Sequence, residues 1–382
     1  MRDRNNLNKI LGLGFVLVLA GFTAANFLHK DVKFSDTENR MLQQKPAFSL
    51  AELVDGRFMS SFEKYQTDQF AFRERWIRLQ TAADQLLGKN KSGDVYLGEN
   101  QLFEEPSEIG SEVWKNLDAI NRFCSRYPDV HSYLMLAPDA ASVQKERLPG
   151  YAPVADQEQQ LQELQRYQEE QKSPVTEIPL YGTLRAHREE YLYYRSDHHW
   201  TTLGAWYAYE KAAEVMNIPE VAEKAENIGE KLYPVTARFQ GTLSARSGYQ
   251  VSDDTIEVYW PEPETELVVT YVQEQTKSAS LYASEKLSTK DKYGMFLNGN
   301  HPLTEIRTMA STGRKLLLVK DSYANCFVPY LTGDFEEIVL VDPRYYYDNL
   351  GKLMEQYGFT DVLFLYNLNT FLEDDVLHYV LE

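Results

Sequence analysis

Four short stretches of the chain are apolar at nearly every position rather than at every second one. They are His131-Ser-Tyr-Leu-Met-Leu-Ala137, Lys315-Leu-Leu-Leu-Val-Lys320, Glu337-Ile-Val-Leu-Val341 and Asp361-Val-Leu-Phe-Leu365. Successive residues of a strand face opposite sides, so a strand apolar on both sides needs cover on both. That is the condition of a parallel sheet between two layers of helices. Helical spacing fills the gaps, with Val113, Leu117, Ile120 and Phe123 recurring within 111–127 and short helices predicted over 323–331 and 346–357. Strands alternating with helices define an α/β chain.

The remaining segments read differently. Helical patterns run over 50–87, and Gly93 to Phe103 reads as a hairpin turning at Gly98-Glu-Asn. Residues 156–172 are dense in Gln and Glu and predict an exposed helix. From about 233 to 292 the residues are β-prone, with strands expected over Thr255–Trp260 and Leu267–Val272. This segment is expected as an antiparallel insertion walling a cleft, where Tyr249, Tyr259 and Trp260 are candidates to stack on a glycan. Tyr259 and Trp260 are neighbours on one strand, so at most one of them can line that cleft.

At the N-terminus, Arg2, Arg4 and Lys9 precede an apolar run from Ile10 to Ala25. A basic flank before such a run predicts export, with residues 1–30 acting as a signal peptide or a membrane anchor. The remainder, 31–382, is expected to lie outside the cytoplasm as a single domain, beginning with an extended arm that contains Glu38-Asn-Arg40. The formal charge of −18 argues against a nucleic-acid partner, which requires clustered cations. Cys124 and Cys326 form no disulfide framework and no metal-ligand pattern, and they pair only if the fold joins them.

Candidate chemistry concentrates at Asp197-His-His-Trp200, ahead of a helix that Thr201 or Thr202 can cap and that Asn217 and Pro219 end. In an extended segment Asp197 and His199 face one side together, while His198 points away and is expected to be structural. An acid aligned with a histidine lacks only a nucleophile to complete a triad. Ser322 follows the Lys315–Lys320 strand and begins a helix, a position that suits both attack and oxyanion binding. Asp321 or Ser322 could equally serve only as a cap. Two further strand ends carry Asp342-Pro-Arg-Tyr345 and Asn367. The Asn367 amide could donate to an oxyanion, and Arg344 could orient substrate or stabilise charge. Either could instead only hold a loop.

Together, Ser196-Asp-His-His-Trp200, Glu38-Asn-Arg40, Gly241-Thr-Leu243, Lys320-Asp-Ser322 and Asp342-Pro-Arg-Tyr345 resemble the DHHW family of exported bacterial proteins. That family is similar to the AlgX- and AlgJ-type alginate O-acetylation proteins. The resemblance implies an SGNH-hydrolase-like parallel sheet flanked by helices, circularly permuted so that the acid and base precede the serine. It implies Asp197 as acid, His199 as base and Ser322 as nucleophile, with Asn367, Arg344 and Tyr345 around the oxyanion or substrate. No cofactor and no metal are expected.

The function expected is an extracytoplasmic acyltransferase that O-acetylates a cell-surface or secreted polysaccharide or peptidoglycan, with a membrane-bound O-acyltransferase as acetyl donor. A carbohydrate O-acetylesterase would use the same residues with water as acceptor. A non-catalytic glycan-binding or assembly protein would use none of them chemically. A metal site at Asp197, His198 and His199 would require more ligands at suitable spacing than the sequence offers.

Overall fold

A computed structural model of the chain describes residues 2–35, 40–219, 228–260 and 266–382. Packing divides it into two compact units, residues 1–89 with 245–249, and residues 90–244 with 250–382.

The first unit is helical. Its helix α1 (Arg2–Leu28) contains a stretch, Lys9–Leu28, with mean hydropathy 2.0 and none of it buried. Twenty residues of this kind are long and apolar enough to cross a bilayer. Helices α2 (Arg57–Asp68) and α3 (Arg73–Leu86) follow. Glu38 and Asn39 of the expected arm lie outside the described residues.

The second unit is built on an eight-stranded sheet. In chain order the elements used below are α4 (Ser111–Ser125), β1 (His131–Ala137), α5 (Gln157–Glu170), β2 (Thr176–Glu177), α6 (Thr202–Val215), β3 (Leu232–Phe239), β4 (Asp254–Tyr259), β5 (Leu267–Tyr271), β6 (Thr276–Ser278), β7 (Leu303–Thr308), β8 (Lys315–Lys320), β9 (Glu337–Val341), α7 (Gly351–Tyr357) and β10 (Asp361–Asn367). The sheet order is β6-β5-β7-β9-β8-β10-β1-β2, parallel from β9 to β2 and antiparallel from β6 to β9.

The apolar runs end up where their pattern requires. Along β8, Leu316 and Leu318 enter one hydrophobic core while Leu317 and Val319 enter the core on the opposite face. β9 and β10 divide in the same way. The α5 helix is correctly expected, but its glutamine face is not all solvated, since Gln157, Gln160 and Gln168 are buried and hydrogen-bonded. The β-rich segment divides in two. β3 and β4 form a separate antiparallel ribbon, whereas β5 and β6 extend the main sheet antiparallel through β7.

From β8 the chain passes to β9 on one side and then to β10 on the other. The carboxyl end of β8 is therefore a topological switch point, where neighbouring connections diverge and leave a crevice.

Candidate active site

Residues 320–322 leave β8 at that crevice. Asp321 caps the following turn through Oδ1, which accepts the Tyr323 N–H at 2.9 Å, while Oδ2 accepts the Asn367 N–H at 2.9 Å from the end of β10. Capping thus falls to Asp321 rather than to Ser322. Asp321 fixes the turn, and the Ser322 hydroxyl is left for another partner.

That partner is His199. Its Nε2 lies 2.8 Å from Ser322 Oγ, and its Nδ1 lies 2.5 Å from Asp197 Oδ1. The structure therefore brings Asp197, His199 and Ser322 together, all at most 7% exposed. The route differs from the extended strand inferred from sequence. Residues 193–200 form a bent loop closed by a Tyr193–Trp200 bridge, and Asp197 Oδ1 also accepts the His199 N–H at 3.0 Å. Nor does His198 point away. Its ring packs 3.9 Å from the His199 ring, and its Nδ1 lies 2.7 Å from Thr242 Oγ1.

Several residues that the sequence left without a role hold this loop. Thr242 donates to Asp197 Oδ2 through its N–H at 2.7 Å and its hydroxyl at 2.9 Å. Gly241 donates its N–H to Ser196 Oγ at 2.9 Å. Asp254, fully buried at the start of β4, accepts the N–H groups of Arg195 and Ser196, the Ser196 hydroxyl and the Tyr191 hydroxyl. Tyr293 stacks on His199 at 3.8 Å and 13° and donates its hydroxyl to the Ser322 carbonyl. Gly241-Thr-Leu243 was visible as a motif. Asp254 and Tyr293 carried no signal in the sequence, because their contacts span tens of residues.

Electrostatics follow from these contacts. Burial alone would raise the Asp197 pKa, but the two imidazoles and the Thr242 N–H together hold it far below the ordinary carboxylate value. Burial and the adjacent His199 push His198 down to about 4, so it is neutral at physiological pH. Donor atoms of Asp197, His198 and His199 lie within 4.8 Å of one another, close enough for a metal ion. The Asp197–His199 hydrogen bond and those to Thr242 and Ser322 engage all of them except His198 Nε2, for which the described residues supply no partner.

The other expected site residues fare unevenly. Asn367 ends β10 beside Asp321, and its amide is held by protein partners. The amide donates to Asp139 Oδ1 at 2.5 Å and to the Ala137 carbonyl, and its oxygen accepts the Thr370 N–H. Asn367 thus braces the strand ends. Arg344 donates two bonds to Asp342 from one edge of its guanidinium, Nε to Oδ1 at 2.8 Å and Nη2 to Oδ2 at 2.6 Å, with the guanidinium over the Tyr345 ring. Lys320 is buried beneath them against Asn325, Asn300 and Asp342, and burial pushes its pKa down to about 8.

One stacking candidate is corrected. Tyr259 is buried and packs on Tyr330, so it is core. Trp260 is exposed but follows the far end of β4, roughly 20 Å along the strand from Asp254. Tyr249 belongs to the first unit. Cys124 and Cys326 are separate buried thiols.

An α/β sheet with a serine at its switch point, reached by an aspartate and histidine that precede it in the chain, is an SGNH-hydrolase-like fold in permuted order. The chain belongs to the DHHW protein family, whose profile matches residues 131–341. Among solved structures it is similar to a DHHW family protein from Eubacterium siraeum at 24% identity and TM-score 0.60, covering 75% of this chain and 97% of that one. It is also similar to Bacillus cereus PatB1 with a sulfonyl adduct, at 20% identity and TM-score 0.59, with the same coverage of 75% and 97%. No curated protein sequence matches it.

Proposed function

We propose that the protein is an extracytoplasmic Ser-His-Asp acyltransferase that moves an acetyl group onto a hydroxyl of a cell-surface or secreted polysaccharide. The observation that carries this reading is the unbroken contact from Asp197 through His199 to Ser322. In the first half-reaction His199 Nε2 takes the Ser322 proton as Oγ bonds to the acetyl carbonyl carbon. The bond to the donor's leaving group then breaks, and the imidazolium returns the proton to that group. In the second, an acceptor hydroxyl attacks the acetyl-enzyme and gives its proton to His199. The bond between the acyl carbon and Oγ breaks, and Ser322 recovers a proton. Asp197 holds the imidazole with hydrogen on Nδ1 and stabilises its cationic form.

The Ser322 N–H has no hydrogen-bond partner among the described residues and is the donor we assign to the oxyanion. Arg344, already oriented by Asp342, supplies nearby positive charge, with Tyr345 packed beside it. Acetyl groups are activated inside the cell, so a membrane-bound O-acyltransferase is the proposed donor. The basic residues before the apolar stretch of α1 support an extracytoplasmic second unit, whether the segment is cleaved or stays as an anchor.

The relative from Bacillus cereus is described with a sulfonyl adduct. Applied here, phenylmethanesulfonyl fluoride is expected to leave a phenylmethanesulfonyl group on wild type, with fluoride and the hydroxyl proton lost as HF, and none on Ser322→Ala. Incubation with p-nitrophenyl acetate and an oligosaccharide then separates the outcomes. Acetylated sugar supports transfer, whereas acetate alone makes the protein an esterase. Absence of any Ser322-dependent chemistry refutes both.

A further inference from the structure

His198 takes no part in the contact from Asp197 to Ser322, although its ring lies against that of His199 at 3.9 Å. Its side chain keeps 23% of its surface exposed, whereas that of His199 keeps 1%. Thr242 decides which of its nitrogens carries hydrogen. The Thr242 hydroxyl has one proton, and its neighbour at 2.9 Å, the ionised Asp197 carboxylate, can only accept. The hydroxyl oxygen is then the acceptor toward His198 at 2.7 Å, so Nδ1 is protonated and Nε2 holds a bare lone pair. Asp197 fixes His199 in the same tautomer directly. Two neighbouring imidazoles thus both have Nδ1 on the Asp197–Thr242 side and Nε2 turned away from it. One lone pair meets Ser322 Oγ, and the other meets no partner among the described residues. His198 stays neutral, so this lone pair persists at physiological pH.

We infer that His198 Nε2 reads the acceptor, taking a hydrogen bond from a second hydroxyl while the first, on the adjacent carbon, delivers its proton to His199. The inference deepens the acyl-transfer reading and rests on it. It assigns the acceptor to the vicinal polyols, the class to which sugar rings belong, and against mono-alcohols. Two oxygens on neighbouring carbons are close enough together to serve two rings 3.9 Å apart. A mono-alcohol can engage only one of the two lone pairs at a time.

The test is a competition on the full-length protein in detergent, with p-nitrophenyl acetate as donor and equal concentrations of ethylene glycol and methanol as acceptors. Gas chromatography counts the hydroxyethyl and methyl acetates. Wild type is expected to favour glycol beyond its twofold statistical advantage. His198→Phe keeps a ring but removes the lone pair, and it should lower the glycol-to-methanol product ratio about fivefold, the worth of one neutral hydrogen bond. His198→Gln, with an amide oxygen near the Nε2 position, should recover part of that preference. The ratio is internal to each protein, so a general loss of activity does not move it. No preference in wild type, or the same ratio in His198→Phe, overturns the inference. Nitrogen-15 NMR of wild type supplies a check that needs no variant, because a proton found on His198 Nε2 rather than Nδ1 also overturns it. If p-nitrophenol release does not depend on Ser322, the acyl-transfer reading falls first, and this inference with it.

Discussion

A β-carbon at Gly241 would overlap both Cβ and Oδ2 of Asp197. Nothing larger than glycine fits there unless the 241–242 turn or the aspartate moves. Yet that turn supplies the two Thr242 bonds that aim the carboxylate at His199. Gly241→Ala should therefore displace Asp197 and lower ester turnover by about 10²-fold, the cost typical of an ångström of misplacement at a reacting centre. Steady-state kinetics with a chromogenic acetyl ester, beside a thermal melt, separates lost alignment from lost folding. Unchanged turnover would mean that the loop yields without moving the acid.

This glycine also marks the limit of what the sequence made legible. The sheet strands could be read because their two-sided apolar runs have a local cause, burial on both faces. The meeting of Asp197, His199 and Ser322 could be anticipated because each adjoins a recognisable element. Their supports could not. Thr242 and Asp254 act on the 195–197 loop across 45 and 59 residues of sequence, respectively. Nothing within a local window distinguishes such residues from ordinary loop polars. Asn367 misled for the opposite reason. Its position at a strand end was correct, but Asp139, which takes up its amide, comes from β1's end, 228 residues away.

Asp197→Asn should separate orientation from charge. The introduced side chain could keep the Thr242 N–H contact through its oxygen while turning an NH₂ toward His199. That would force the tautomer in which Nε2 carries hydrogen and cannot accept from Ser322. Turnover is expected to fall by about 10⁴-fold with folding retained. Residual turnover within about tenfold of wild type would show that His199 does not depend on the acid.

Asp254 gives a stability prediction. Its carboxylate is fully buried and is the acceptor for the Arg195 and Ser196 N–H groups and the Ser196 and Tyr191 hydroxyls. Asp254→Ala leaves those donors without it in a dry site, a loss of about 3 kcal/mol or more. Urea unfolding would register that loss. Turnover should fall too, because the loop bearing Asp197 is anchored there. Stability within about 0.5 kcal/mol of wild type would mean that water or another group replaces the carboxylate.

Glu104 and Asp139 make stability depend on pH. Burial raises both, reinforced by each other's charge or that of neighbouring carboxylates, Glu104 to about 8 and Asp139 to about 6. Below the ordinary carboxyl range both are neutral whether the chain is folded or not, and they impose no penalty. As pH rises from about 4.5 to 8 the unfolded chain releases protons that the folded chain retains. Stability therefore falls across that window. Glu104→Gln keeps the shape and cannot ionise. The variant should match wild type near pH 5 and exceed it near pH 8 by something on the order of 2 kcal/mol. Thermal or urea midpoints for both proteins at pH 5, 6.5 and 8 measure the difference. An advantage that does not grow with pH would mean that Glu104 ionises at its ordinary value, with solvent reaching the carboxylate cluster beside the triad.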